Sequence, residues 1–381
     1  MTTRTGRCLV GPTRASWVGR QVSARDSLEG MTELPARTRF ATVDAERSVA
    51  FADAELEAPG ERQVVVRIRY TGVCATDTHG WASGGLIPAA VFGHEWTGTV
   101  VAAGPGVTTV AVGDRVVASV GPPCGSCAMC RAGHPDHCDT AFAEANGISP
   151  DAPTHGAFAQ HVTVHERRVQ RALDGLTDEQ LGLVEPTAVT FHAVRRAGQR
   201  LGDVVVVQGA GPIGLLTAQH ARHSGAGAVV IVEPMEARRE TARRLGFTDV
   251  HEPGTAFESR VLELTDGLGA DVLYECTGAA PLFQSSAELV RRGGTLALLG
   301  YPMTTSEVSY GDWQSRELTV VGSLAYTHSD FVGAMRALAD GSVDAGPLIT
   351  GTVGLDQLPG LLAELDGGKT RHAKVLVAPN G

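Results

Sequence analysis

Four consecutive valines, Val204–Val207, run into Gly209-Ala-Gly211-Pro-Ile-Gly214, and no other stretch of the chain restricts its fold as tightly. An unbroken apolar run of this kind reads as a strand buried on both faces, as in a parallel sheet. The glycines stand where strand must hand over to helix. Gly209 permits the tight turn, Gly211 lets a pyrophosphate approach backbone N–H groups at a helix N-terminus, and Gly214 allows helix and strand to pack closely. Gly209, Gly211, Pro212, Ile213 and Gly214 are therefore the expected cofactor-binding turn. A helical stretch from Ile213 to Ser224 and a second buried strand at Val229–Val232 complete a βαβ unit. Glu233 then lies about 20 residues past Gly214, where a carboxylate accepts hydrogen bonds from the adenosine ribose and repels a 2′-phosphate; this favours NAD over NADP. Arg238 has two readings: it pairs with Glu233 and covers the adenosine, or it tolerates a phosphate. Strand-like runs at Val272–Glu275 and Thr295–Leu299 continue the alternation.

The remaining chain has a different texture. Gln63 to Tyr70 begins apolar and then alternates, and Val100 to Val120 holds short valine-rich pieces broken by Gly-Pro-Gly and Gly-Asp-Arg, which reads as antiparallel β with tight turns. Lys374–Val377 is strand-like again. With 381 residues, the chain also exceeds the roughly 250–300 at which one core stops growing. The expected fold class is α/β: a Rossmann-type doubly wound parallel sheet over 186–325, inserted in a mostly β domain that covers 31–185 and resumes over 326–381. Residues 1–30 carry Arg4, Arg7, Arg14, Arg20 and Arg25 without the apolar region of a signal peptide. They read as a disordered extension or an upstream start before Met31, with an organelle-type presequence as the alternative. A formal charge of −10 offers no basic stripe to nucleic acid, and no apolar run approaches the length that spans a bilayer.

Cysteine usage points to metal. Cys124, Cys127, Cys130 and Cys138 crowd into one short lobe within 121–140, whereas Cys8, Cys74 and Cys276 stand apart. Four thiolates satisfy tetrahedral zinc and leave no open position, so this site is expected to be structural. His134 and His137 are in the same loop and are weaker candidates; an iron–sulfur cluster ranks below zinc. Such clustering suits a reducing compartment, the cytoplasm.

Gly72-Val-Cys74-Ala-Thr76-Asp77-Thr-His79 and Gly93-His94-Glu95, taken with the cysteine lobe and the glycine turn in this order, resemble the zinc-containing medium-chain alcohol dehydrogenase family from about Thr38 to the C-terminus. Val184-Glu185-Pro186-Thr187-Ala188, where alcohol dehydrogenases proper carry a second cysteine ligand, resembles the sorbitol and polyol dehydrogenase branch. The resemblance implies a GroES-like catalytic domain, two Zn²⁺ per chain and a nicotinamide cofactor. It implies Cys74, His94 and Glu185 as ligands of a catalytic zinc, with Glu95 a neighbouring carboxylate able to exchange onto the metal. It further implies that the Thr76 hydroxyl receives the released proton and His79 passes it to solvent, and that Thr277, in the Thr277-Gly278 turn, lies beside the cofactor. Asp77 reads as a structural acceptor and Cys276 as a packing residue; Trp81, Tyr301 and Tyr326 are candidates to line the pocket. The substrate implied is a small-molecule secondary alcohol: a polyol or sugar alcohol, or more narrowly an aminocyclitol such as 2-deoxy-scyllo-inosamine. Threonine 3-dehydrogenase and butanediol dehydrogenase relatives carry similar segments and stand as alternatives, as does a cofactor-binding protein without turnover. A homodimer or homotetramer is expected, with no nucleic-acid or membrane partner.

Overall fold

The computed structural model describes residues 34–381 except 86, 151, 367–369 and 371. The readings of residues 1–30 and of Met31 lie outside the described residues. A hairpin of β1 (Arg37–Ala45) and β2 (Ser48–Glu55) leads into β3 (Gln63–Gly72), β4 (Glu95–Ala103), β5 (Arg115–Ala118), β6 (His161–His165) and β7 (Val169–Arg171). From β3 to β7 all pairings are antiparallel. Then come β8 (Val204–Gln208), β9 (Ala228–Val232), β10 (Val250–His251), β11 (Ala270–Glu275), β12 (Val290–Leu298) and β13 (Thr319–Gly322), paired in parallel in the order β10-β9-β8-β11-β12-β13. This is a doubly wound order with its switch point between β8 and β11, where such sheets bind ligands. The chain then returns to the first sheet with β14 (Ile349–Gly354) and β15 (Lys374–Ala378); its order is β14-β15-β3-β4-β5-β7, with β6 also on β3.

Val205, Val206 and Val207 are wholly buried, each contributing about 1.5–3 kcal/mol. Val205 and Val207 share a core cluster with Tyr70 and Val117 of the antiparallel sheet, Val184 and Ala188 of the helix Val184–Ala197, and Leu215 and Leu216 of the helix Pro212–His223, while Val206 faces a second cluster with Val230 and Phe257. That helix pair joins the two halves: His220 Nε2 is 3.2 Å from the Thr187 carbonyl and the ring of Phe191 meets that of His220 at 5.4 Å. The boundary drawn at 186 therefore falls inside a helix. No described helix is long and apolar enough to cross a membrane.

Candidate catalytic metal centre and cofactor site

The pairing of β3 with β4 sets Gly72 opposite Glu95. Cys74, two residues beyond Gly72, is the N-cap of the helix Ala75–Ala82, and His94 directly precedes β4, so one sheet register brings these segments together. Cys74 Sγ, a His94 ring nitrogen and a Glu95 carboxylate oxygen all lie within 4.8 Å of one another. A Cβ at position 72 would strike Glu95 Oε2, so glycine there makes room for the carboxylate. Asp77 laces the segments: Oδ2 accepts the Cys74 N–H at 2.8 Å and Oδ1 the Gly93 N–H at 2.9 Å. His94 Nδ1 is 3.0 Å from the Val91 carbonyl, which suits a proton on Nδ1 and leaves Nε2 as a donor for metal. Burial opposes a positive charge on His94, yet Cys74, Asp77 and Glu185 hold its pKa well above the usual value. That negative field is what a cation at the cluster would neutralise, and the sulfur, nitrogen and carboxylate donors suit zinc.

Glu185 is the second residue of the helix Val184–Ala197 and falls outside the 4.8 Å set. Its charge interacts with theirs all the same: burial raises its pKa to about 7, with His94 and Lys374 lowering it and Glu95 and Asp77 raising it. Tyr326 is buried beside it, its hydroxyl pushed up by burial and by the Glu185 charge. Thr76 Oγ1 is 3.6 Å from Cys74 Sγ, and His79 is three residues further along the same helix face. Trp81 is buried in the apolar core with Val73 and Phe92. Lys374 belongs to none of the sequence motifs. Its ammonium reaches Glu95 Oε1 at 2.8 Å and Oε2 at 2.6 Å. The signal available was a charge opening an otherwise apolar terminal strand.

The four clustered cysteines bring their sulfurs within 4.8 Å of one another, and His134 and His137 lie outside the set. Backbone N–H groups point at the sulfurs: Cys127 N to Cys124 Sγ at 3.2 Å, Cys124 N to Cys138 Sγ at 3.3 Å, and Ala141 N to Cys138 Sγ at 3.4 Å. Hydrogen bonds from Thr140 and Ser126 lower Cys124 to about 5, whereas burial and then Cys127 push Cys130 up to about 12. Without a cation, four thiolates at this spacing repel, and protons remain on some of them. The donor set fits a closed zinc site.

At the glycine turn, Gly209 has φ +97°, and a Cβ at Gly214 would collide with the Gly209 carbonyl, so the helix Pro212–His223 packs directly on the turn. Gly211 is its N-cap and faces open space, the cradle a pyrophosphate needs. Glu233, 3% exposed, follows β9; Oε2 accepts the Ala210 N–H at 2.8 Å and Oε1 the Met235 N–H at 2.9 Å. Arg238 Nη1 is 4.0 Å from Glu233 Oε2, the pairing geometry. Beside them is a cavity of about 600 Å³ lined by Gln208, Gly209, Val232, Pro234, Phe257 and Thr277. The Thr277 N–H is held by the buried Glu275 at 2.8 Å, and burial pushes the Cys276 thiol up, as suits a packing residue.

The family model described as "Zinc-binding dehydrogenase" matches residues 212–340, and that described as "Alcohol dehydrogenase GroES-like domain" matches residues 60–174. Sorbitol dehydrogenase of Halalkalibacterium halodurans is 34% identical over 300 residues, 77% of this chain and 85% of that protein. D-xylulose reductase A of Aspergillus oryzae is 32% identical over 327 residues, covering 83% and 89%. Among solved structures, 2R,3R-butanediol dehydrogenase from Bacillus subtilis superposes with a TM-score of 0.76 at 26% identity, covering 90% of this chain and all of that one.

Proposed function

The chain belongs to the zinc-containing medium-chain alcohol dehydrogenase family, in its polyol-dehydrogenase-like branch, and from that premise we propose a zinc-dependent enzyme that moves a hydride between a secondary alcohol and NAD. The substrate class we assign is a polyol, a sugar alcohol or an aminocyclitol such as 2-deoxy-scyllo-inosamine. One observation carries the reading: Cys74, His94 and Glu95 gather within ligand distance of one another, and Glu185 interacts electrostatically with His94 and Glu95 from the first turn of the helix Val184–Ala197, which packs along the helix that opens at the glycine turn. Zinc supplies Lewis acidity toward a substrate oxygen, and the nicotinamide supplies the hydride acceptor.

Cys74, His94 and Glu185 are assigned to the catalytic metal. Glu95 is the nearer carboxylate, but Lys374 already bonds both its oxygens, so Glu185 takes the third place and Glu95 the auxiliary one. Thr76 and His79, one helical turn apart, carry the alcohol proton outward, hydroxyl first and imidazole second. Cys124, Cys127, Cys130 and Cys138 hold the structural zinc. Gly209, Gly211, Pro212, Ile213 and Gly214 receive the pyrophosphate, Glu233 the adenosine ribose, with Arg238 over the adenosine and Thr277 beside the cofactor. A reducing compartment, the cytoplasm, is part of this reading and is supported by the ligand-spaced thiols.

The test is a panel of sorbitol, xylitol, 2-deoxy-scyllo-inosamine, 2,3-butanediol and L-threonine, each with NAD and NADP, followed at the nicotinamide absorbance. Turnover of a polyol or aminocyclitol with NAD is expected. Turnover confined to L-threonine or 2,3-butanediol would overturn the substrate class.

A further inference from the structure

Lysine is nearly absent from this chain: of 32 basic residues, two are lysines, Lys369 and Lys374. Lys374 opens β15, is 3% exposed, and gives its three ammonium protons to three fixed acceptors. They are Glu95 Oε1 at 2.8 Å, Glu95 Oε2 at 2.6 Å and the Val73 carbonyl at 3.0 Å. Val73 precedes Cys74 and Glu95 follows His94. Lys374 thus grips both donor segments, as Asp77 grips them through the Cys74 and Gly93 N–H groups. Charge makes it more than a brace. The carboxylate held by Lys374 also has an oxygen within 4.8 Å of Cys74 Sγ and a His94 nitrogen, so it faces an ammonium and the place of a metal cation at once. An arginine fork would lock the carboxylate bidentately, whereas a lysine is a compact charge on a flexible stem that can yield one oxygen.

We propose that Lys374 competes with the bound metal for Glu95. Glu95 is then a shared carboxylate, and the affinity of the centre is held below what its sulfur, nitrogen and carboxylate donors would give without the lysine. Lys374 is a positioning residue, acting through Glu95. The inference rests on the functional reading above.

The test is the cobalt(II) affinity of the full chain by chelator competition, reading the part of the cobalt–thiolate absorption that depends on Cys74. Lys374→Met is expected to bind cobalt about tenfold more tightly or better, the scale of freeing one carboxylate charge for a nearby cation, and the gain should vanish in a Glu95→Gln background. Lys374→Gln keeps an N–H donor for the buried carboxylate and reports the same direction if the methionine variant does not fold. Unchanged or weaker affinity, or an equal gain with glutamine at 95, overturns the competition alone. A cobalt spectrum indifferent to Cys74→Ser would overturn the metal centre, and the functional reading with it.

Discussion

Two carboxylates crowd one donor cluster, and their surroundings assign them different work. Glu95 is 1% exposed and ion-paired to Lys374; Glu185 sits in the first turn of the helix Val184–Ala197. Glu185→Gln keeps the helix start and most of the volume but removes an anionic donor, so metal content and turnover are expected to fall together. Glu95→Gln should cost less of both. An intact catalytic metal in Glu185→Gln with its loss in Glu95→Gln would reverse the assignment. At the cofactor turn, Glu233→Ala should narrow the preference for NAD over NADP by about 1.5–3 kcal/mol through the lost ribose hydrogen bonds. Because Glu233 also holds the Ala210 and Met235 N–H groups, the variant should melt at a lower temperature as well. A wild-type preference for NADP would overturn the ribose role and bring Arg238 forward as a phosphate partner. Cys74, His94 and the glycine turn were legible because each is a local pattern with its own chemistry. Lys374 was not, since its partner depends on β15 pairing with β3, Leu376 opposite Gly72, about 300 residues away in the chain.

At the scale of elements, the cysteine lobe and the helix Val184–Ala197 make separate claims. A closed four-sulfur site contributes folding energy when metal binds, so Cys127→Ser should lower the melting temperature, while Cys74→Ser abolishes turnover and leaves the chain folded. An unchanged melting temperature in Cys127→Ser would remove the structural role. The helix is clamped from outside: Asp330, at the start of the helix His328–Ala339, accepts from His192 at 2.7 Å and from Arg195 at 2.7 Å. Burial raises the Asp330 pKa, but hydrogen bonds from His192, Thr327 and Arg195 outweigh it and hold the carboxyl well below the usual carboxylate range. A depressed folded pKa stabilises above the unfolded value, and the contribution is lost as pH falls below about 4 toward the folded one. Asp330→Asn should therefore cost about 2–3 kcal/mol at neutral pH, and its deficit against wild type should shrink in melts near pH 3. An equal deficit at both pH values would show that the clamp is not ionic. No local pattern announces this clamp, because Asp330 lies 138 residues from His192.

For the whole molecule, the doubly wound sheet was readable because parallel strands buried on both faces leave unbroken valine runs and the glycine turn fixes where the first one ends. Its margins were not. β10 is two residues long and β13 four, too short for a periodic signal, and the helix across residue 186 hides the seam between sheets because its buried face serves both. The margins nonetheless bear on assembly. An open sheet leaves an unpaired backbone row at each edge, and proteins blunt such edges by shortening, charging or covering them. β10 is blunted by its length. β13 carries Val320, 39% exposed, and Leu324, 64% exposed, follows it, so that edge is neither charged nor shortened to the same degree. Pairing β13 with the same strand of a second copy about a twofold axis would continue the sheet and cover both residues, since a twofold contact presents one patch to itself. Light scattering after size exclusion should therefore give a homodimer or a tetramer built from it, and Val320→Asp, which puts a charge into the pairing edge of each copy, should shift the population toward monomer while the melting curve of the monomeric fraction stays cooperative. A wild-type chain that elutes as a monomer at micromolar concentration, or a Val320→Asp variant that stays fully assembled, would refute this edge as the interface.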